Sequence, residues 1–349
     1  MRITRLPETL MEALELTSSP GRELRQAAEN LSERYRSDEP GPYIRNELDA
    51  QAYTAMLLPA TFAQVQGALA QVQARQPDWA PKSLLDLGSG PGTAMWAAAE
   101  LWPELGTFTA MERSPEFLSM GQSLAGQSHC AGLRRSDWRQ GDLTKNAMPR
   151  GRFDLVILAH VVSELPPAER ESIVRSAWAA TAGTLLVVEP GTPFGFSVVR
   201  RARERLCRWG GQTVAPCPHG DDCPLPSNDW CHFPQRLERP PTQRAVKEAT
   251  LAWEDAKYSF IAVTRQPMEP ATFSRILRTP RRGKGITRFA ACSPTGLEDR
   301  TVSKREREAW RMARKIQWGD LLPSSGDHAH LPGDPPADSD APGSPSPRP

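Results

Sequence analysis

Long apolar runs are missing from this chain. No window approaches the roughly 20 consecutive apolar residues of a membrane helix, and the opening MRITRLPETLMEALEL contains no uninterrupted segment of signal-peptide type. No membrane partner is expected, and the default location is cytoplasmic. An excess of one charge sign is missing too: 43 Lys and Arg against 41 Asp and Glu leave a formal net charge of +2, so affinity for nucleic acid would require uneven placement. Cysteine is scarce, 6 in 349 residues, and in a reducing compartment such thiols are poor candidates for disulfides. A local cluster of them points instead to metal or redox chemistry. No internal repeat is visible, and a hydrophobic content of 39% can supply a real core, so a chain that folds alone as a monomer is expected.

What is present changes character along the chain. Residues 1–80 carry apolar positions at three- and four-residue spacing, as in GRELRQAAENLSERYR, and read as a helical N-terminal cap. From residue 81 to 205 the short apolar runs SLLDLGSG, GTFTAME, FDLVILAH and GTLLVVEP are separated by helix-length segments, the rhythm of an α/β fold around a buried parallel sheet. Residues 206–322 begin with a proline-punctuated, cysteine-bearing stretch. KYSFIAVTRQ and FSRILRTPRRGKGITRFAAC then read as strand-bearing, and SKREREAWRMARKIQWGDLL reads as a basic helix. The segment 323–349 is rich in Pro, Ser, Gly and Asp and too poor in apolar residues to offset the entropy of ordering, so a disordered tail is expected.

In LLDLGSGPGTA, Asp86, Gly88, Ser89, Gly90 and Gly92 follow a predicted strand and precede a predicted helix. Glycines there allow a sharp turn and the close approach of a ligand to the backbone. A dinucleotide fingerprint needs Gly or Ala at the sixth position, which is Thr93 here. The acid two residues before the first glycine and the GxGxG spacing instead resemble motif I of the class I S-adenosylmethionine-dependent methyltransferases, a Rossmann-like fold. That resemblance implies a ribose contact for Glu112 and an adenine contact for Asp142, and it puts His160 and Glu164 near the methyl group. The competing reading is a tight turn with no ligand. The Asn/Asp-Pro-Pro-aromatic loop of amine methylation is replaced by LAHVVSEL, a stretch that also lacks the cysteine nucleophile of carbon-5 methylation. His160 is a candidate general base, with packing or hydrogen bonding as its alternative, so no catalytic residue is assigned.

Cys217, Cys223 and Cys231 lie in CPHGDDCPLPSNDWCHF, and Cys292 lies far downstream. The spacing is not that of paired CxxC zinc knuckles, and it leaves iron–sulfur and zinc both open, with His219 and His232 as substitute zinc ligands. Unattached thiols are the third reading, the natural one for Cys130 and Cys207. Between Arg275 and Trp318, 13 Lys and Arg face 4 Asp and Glu. Arg278, Arg281, Arg282, Lys284 and Arg288 are expected on a loop, and Lys304, Arg305, Arg307, Arg311, Arg314 and Lys315 on the helix, with Trp310 and Trp318 able to pack or to stack on a base. The bland alternative is a solvated helix face partly balanced by Glu306 and Glu308.

Taken together, CPHGDDCPLPSNDWCHF, EPGTP, PKSLLDLGSGPGTAMWAA and CSPTGLEDRTVSKREREAWRMARKIQWGD resemble the Rsm-type family of methyltransferase-like small-ribosomal-subunit proteins, from about residue 30 to 322. The resemblance implies that Cys217, Cys223, Cys231 and Cys292 hold a 4Fe–4S cluster, with zinc as the alternative. It also implies S-adenosylmethionine as the second cofactor and the small ribosomal subunit and its rRNA as partners. The expected RNA-binding residues are Arg281, Arg282, Lys284, Arg288, Lys304, Arg305, Arg314 and Lys315. The expected function is small-subunit assembly, with an active rRNA methyltransferase as the first alternative and a cluster-based redox-sensing regulator of translation as the second. A radical S-adenosylmethionine enzyme is disfavoured, because no compact CxxxCxxC loop is present.

Overall fold

Continuous apolar runs become strands where both faces of a sheet are covered. In the computed structural model, which describes residues 3–17, 21–36, 43–145 and 148–323, the strands are β1 (Ile3–Thr4), β2 (Ser83–Leu87), β3 (Thr107–Glu112), β4 (Asp137–Gln140), β5 (Phe153–Ala159), β6 (Thr181–Pro190), β7 (Gln212–Ala215), β8 (Phe233–Glu238), β9 (Trp253–Thr264), β10 (Phe273–Ile276), β11 (Arg281–Gly283), β12 (Ile286–Ser293), β13 (Gly296–Ser303) and β14 (Leu321–Pro323). The tail expected to be disordered lies, from residue 324 onward, outside the described residues.

The main sheet runs β1-β8-β9-β6-β5-β2-β3-β4, with β7 also paired to β9. The segment β6-β5-β2-β3-β4 is parallel, and β9 runs antiparallel between β6 and β8. This is the Rossmann-like α/β fold of the class I S-adenosylmethionine-dependent methyltransferases. Alternate residues enter opposite cores: Leu84, Leu155, Ile157 and Leu186 pack with the helices Leu58–Arg75 and Thr93–Leu101, and Leu85, Val156, Leu158 and Leu185 pack with the helices Arg170–Ala179 and Pro193–Arg208. Four helices precede β2, Glu8–Thr17, Arg22–Arg36, Glu47–Met56 and Leu58–Arg75. The helices Arg22–Arg36 and Glu47–Met56 share a small core through Leu31, Ala52 and Met56, which reaches Phe117 on the helix Pro115–Gly126. Arg34 forms a bidentate ion pair with Asp49 across these two helices, at 2.8 Å for one of the two contacts.

The second sheet runs β11-β12-β10-β14, with β13 on β12, over a core of Ile276, Phe289, Ala291, Val302, Ile316 and Leu322. Residues 206–322 are therefore shared between two sheets, since β7, β8 and β9 belong to the main one. Two local expectations are corrected. RTPRRGKGITR is a hairpin, not a loop: β11 pairs with β12, and Gly285 takes φ +81° in the turn. The long basic helix shrinks to Arg307–Ala313. Glu306 accepts from the Ser303 amide and hydroxyl before it, and the chain turns at Gly319 (φ +89°) after it, so that β14 can pair with β10.

The outer edge of β9 is shared end to end, with β7 against residues 262–264 and β8 against residues 253–258. Between those two pairings, residues 216–232 leave the sheet and carry three cysteines outward.

Candidate functional site

Sheet order reverses between β2 and β5, and it is at such a switch point, in the crevice beyond the carboxyl ends of the strands, that doubly wound folds place their ligands. The glycine loop leaves the carboxyl end of β2 at this point. Gly88, Gly90 and Gly92 take φ of +69°, +52° and +81°, a region open chiefly to glycine. At Gly88 space is missing as well, since a Cβ would stand 2.6 Å from Val161 Cγ2. The Gly88 and Ser89 amides donate to the Met111 carbonyl at 2.8 and 3.1 Å, which ties the loop to the end of β3. Glu112, the last residue of that strand, accepts from the amides of Gly90 (2.9 Å), Arg113 (2.8 Å) and Ser114 (2.9 Å). Asp86 is 1% exposed, its Oδ2 has no hydrogen-bond partner, and burial with help from the nearby Glu112 charge pushes its pKa up to about 8.

Asp142 lies two residues beyond β4, next to Gly141, whose amide donates to the Glu112 carbonyl at 2.9 Å. Its carboxylate receives the Thr144 hydroxyl (2.7 Å) and amide (2.9 Å), which hold its pKa below the usual value. His160 follows β5 with φ +58°, its Nε2 2.7 Å from Gln64 Oε1, and burial pushes its pKa down to about 4. Such a neutral imidazole is a weak base at neutral pH, and the geometry makes it a hydrogen-bonding residue. Asp86, Gly88, Ser89, Gly90 and Gly92 lie at the end of β2 and in the loop after it, Glu112 ends β3, Asp142 follows β4 and His160 follows β5, so all stand at the carboxyl ends of the parallel strands.

Three participants escaped the motif reading. Glu189, at the end of β6, accepts from the Ser163 amide (3.1 Å) and hydroxyl (2.6 Å), and burial pushes it up to about 7. Tyr35 and Tyr53 reach over from the cap, where burial and then the neighbouring Glu164 raise both phenols. Glu189 sits in the quoted EPGTP, but the two tyrosines carry no sequence signal, because an aromatic at helical spacing reads as core.

The cysteines converge elsewhere. Cys217, Cys223, Cys231 and Cys292 line one cavity of about 40 Å³, with His219 Nε2 3.5 Å from Cys292 Sγ. Cys292 comes from the second sheet, where it pairs with Arg275, and the other three come from the excursion at the edge of β9. Burial raises the thiols of Cys223, Cys231 and Cys292, the last to about 12. Among the described residues, no group of three or more His, Cys, Asp and Glu side chains is arranged to hold a single metal ion.

Arginines grip this excursion. Arg203, 3% exposed, donates from Nε to Cys217 Sγ at 3.3 Å and from Nη2 to the carbonyls of His219 (2.9 Å) and Asp221. Arg200 donates to the carbonyls of Leu225 and Cys223, both at 3.1 Å. Arg275, 2% exposed, donates to the carbonyls of Pro216 (3.2 Å) and Gly319 (2.6 Å), and its Nη2 has no partner. His232 is not in the cavity lining: it stacks on Trp230 at 5.2 Å and meets Trp318 edge-on at 4.7 Å. Cys130 and Cys207 also lie outside that lining.

On the far part of the second sheet Arg281, Arg282, Lys284 and Arg288 are exposed, and so are Lys304, Arg305, Arg314 and Lys315. Arg281 stands opposite Arg288 across the hairpin, a like-charge pairing that bound anions would relieve. Arg282 ties the hairpin to the helix end by donating to the carbonyls of Arg314 (3.1 Å) and Ile316. Arg278 faces inward, paired with Asp229 and donating to the Trp230 carbonyl at 2.9 Å. Trp318 donates to the His232 carbonyl at 2.9 Å, and Trp310 packs on the second core, so both tryptophans are used in packing.

The family described as mitochondrial small ribosomal subunit Rsm22 matches residues 47–323. The chain is 30% identical over 292 residues to the mitochondrial ribosome assembly protein METTL17 of Homo sapiens, covering 78% of this chain and 62% of that protein. It is 26% identical over 328 residues to the mitochondrial Rsm22-cox11 tandem protein 2 of Schizosaccharomyces pombe, covering 79% and 43%. It therefore spans less than two thirds of the length of these curated relatives. Among solved structures, the magnesium protoporphyrin IX methyltransferase of Synechocystis PCC 6803 with bound S-adenosylmethionine is similar with a TM-score of 0.40 and 11% identity, covering 71% of this chain and all of that one. The family description and the human and yeast names are mitochondrial, which corrects the expectation of a cytoplasmic location. The lack of a long apolar run reports on bilayer insertion and does not distinguish one aqueous compartment from another.

Proposed function

We propose, because the chain belongs to the mitochondrial small ribosomal subunit Rsm22 family, that it binds small-subunit rRNA and serves small-subunit assembly as a methyltransferase-like factor. The crevice would take S-adenosylmethionine, with the Gly88–Gly92 backbone against the cofactor, Glu112 toward the ribose, Asp142 toward the adenine and His160 beside the methyl end. Cys217, Cys223, Cys231 and Cys292 would hold a 4Fe–4S cluster. Two features support a fit. Four soft donors share one cavity, and the buried Arg275 has an unpartnered nitrogen beside them. Bound there, the group would supply a rigid covalent link between the excursion and the second sheet.

The observation that carries the proposal is that β12 holds Cys292 and Arg288 on one face, four residues apart. At about 3.3 Å per residue, the metal site and the basic surface are joined by about 13 Å of a single strand. Arg281, Arg282, Lys284, Lys304, Arg305, Arg314 and Lys315 extend that surface, and cluster loading would fix its shape. His160 held as a hydrogen-bonding neutral ring, with no catalytic residue assigned beside it, favours assembly over methyl transfer. The test uses full-length chain purified without oxygen. Iron, zinc and sulfide are measured per chain, then affinity for small-subunit rRNA and for S-adenosylmethionine, then methyl transfer to immature small subunits. Binding of both ligands by iron-loaded chain without transfer supports the proposal. Transfer to a defined nucleotide replaces it with the methyltransferase reading, and a chain that ignores rRNA overturns it.

A further inference from the structure

Arg203 and Arg275 are 3% and 2% exposed, yet neither forms an ion pair with a carboxylate among the described residues. Both line the cavity of the four cysteines. A buried guanidinium without an anion is costly, and Arg34 with Asp49 or Arg239 with Glu254 shows the ordinary solution. Arg200, the third arginine at the cavity, has that solution too, through Glu204 at 3.4 Å. The two exceptions share the sulfur-lined cavity: Arg203 Nε lies 3.3 Å from Cys217 Sγ, and Arg275 lines the cavity from the strand position opposite Cys292.

We infer that Arg203 and Arg275 are built-in countercharges, and that the cavity is matched to a tetrathiolate metal group of net charge −2. The inference rests on the proposed metal-thiolate site. Four thiolates with a 4Fe–4S core of charge 2+, or with one zinc ion, leave −2, which two guanidiniums neutralise. Three thiolates and a neutral His219 on zinc leave −1 and strand one arginine. The role of these residues is positioning and charge balance, since they act on the group through its ligands. Without the group, two positive charges are left buried together with no carboxylate partner among the described residues.

The test compares full-length wild type with Arg275→Met, which keeps bulk and removes charge, and Arg275→Lys, which keeps charge and gives up the two carbonyl contacts. Each is purified without oxygen, assayed for iron, zinc and sulfide, and melted before and after metal removal. Arg275→Met is expected to melt lower than wild type when loaded, and at or above wild type when stripped, because removing a charge helps only the uncompensated state. In an iron-loaded site it is also expected to disfavour reduction at least tenfold, a shift of about 59 mV for one electron. Equal destabilisation in both states, or an unmoved potential, overturns the inference while leaving the metal site standing. If Arg275→Met does not fold, Arg275→Lys decides: retention of wild-type metal supports the countercharge role, and loss of metal overturns it. Wild-type chain with no metal overturns the proposed site itself, and this inference with it.

Discussion

At the crevice, Gly88 and Ser89 already donate to Met111, and the Glu112 carboxylate already receives three backbone amides. At the cysteine cavity, two buried guanidiniums have no carboxylate partner among the described residues, and one Arg275 nitrogen has no partner. The glycine loop is a backbone construction whose ties to β3 are made before any ligand arrives, with the buried Asp86 Oδ2 beside it left without a partner. The cavity is a side-chain construction whose charges are not balanced. The difference teaches that a ligand at the crevice is a visitor, whereas a metal group at the cavity would be part of the fold.

The comparison breaks first at Cys292→Ser. Removing one thiolate should abolish metal loading and cost on the order of 5 kcal/mol or more through the second sheet, seen as a lower melting temperature. Binding of an rRNA fragment should fall more than about tenfold, worth about 1.4 kcal/mol, while S-adenosylmethionine affinity changes far less. Equal loss at both sites would show that the two regions are one unit.

Gly88→Ala probes the other side. The positive φ costs an alanine about 1–2 kcal/mol and the collision with Val161 adds about 1–3 kcal/mol, so unfolding in denaturant should show a clear loss along with weakened cofactor binding. Gly90→Ala pays the φ cost alone, since its Cβ would meet Phe117 at an ordinary 3.9 Å. The ranking of the two variants separates steric fit from backbone conformation.

A pH titration gives a smaller effect. His160 is pushed from 6.5 down to about 4 by burial, so the unfolded chain takes up the proton first as pH falls. The associated stability is present in full above pH 6.5 and is lost toward about pH 4. His160→Asn, a residue that tolerates φ +58°, should remove on the order of 2 kcal/mol of that acid sensitivity in urea unfolding followed across pH. Smallest is Arg281→Ala. If this side chain meets a phosphate, the salt dependence of rRNA binding should lose about 0.7–0.9 from its log–log slope, with melting unchanged.

The strands that the sequence made readable are those with both faces covered, β2, β3, β5 and β6, because double burial writes a continuous apolar run. β4, β8 and β13 read DWRQ, FPQRLE and GLEDRTVS, and nothing in such polar segments announces pairing that is settled by neighbours across the sheet. The hairpin of Arg281 and Arg288 was hidden for the same reason.

By itself the sequence determined the local chemistry: glycines where φ turns positive, an acid at the end of β3, six cysteines of which four stand apart from the other two, and basic residues gathered between 275 and 318. Only the tertiary structure set His160 against Gln64, turned Arg278 and Trp318 inward to the cysteine excursion, and buried Arg203 and Arg275 beside sulfur. A backbone conformation depends on a residue and its chain neighbours. Burial and charge balance depend on groups dozens of residues away, and these meet only once the sheets have formed.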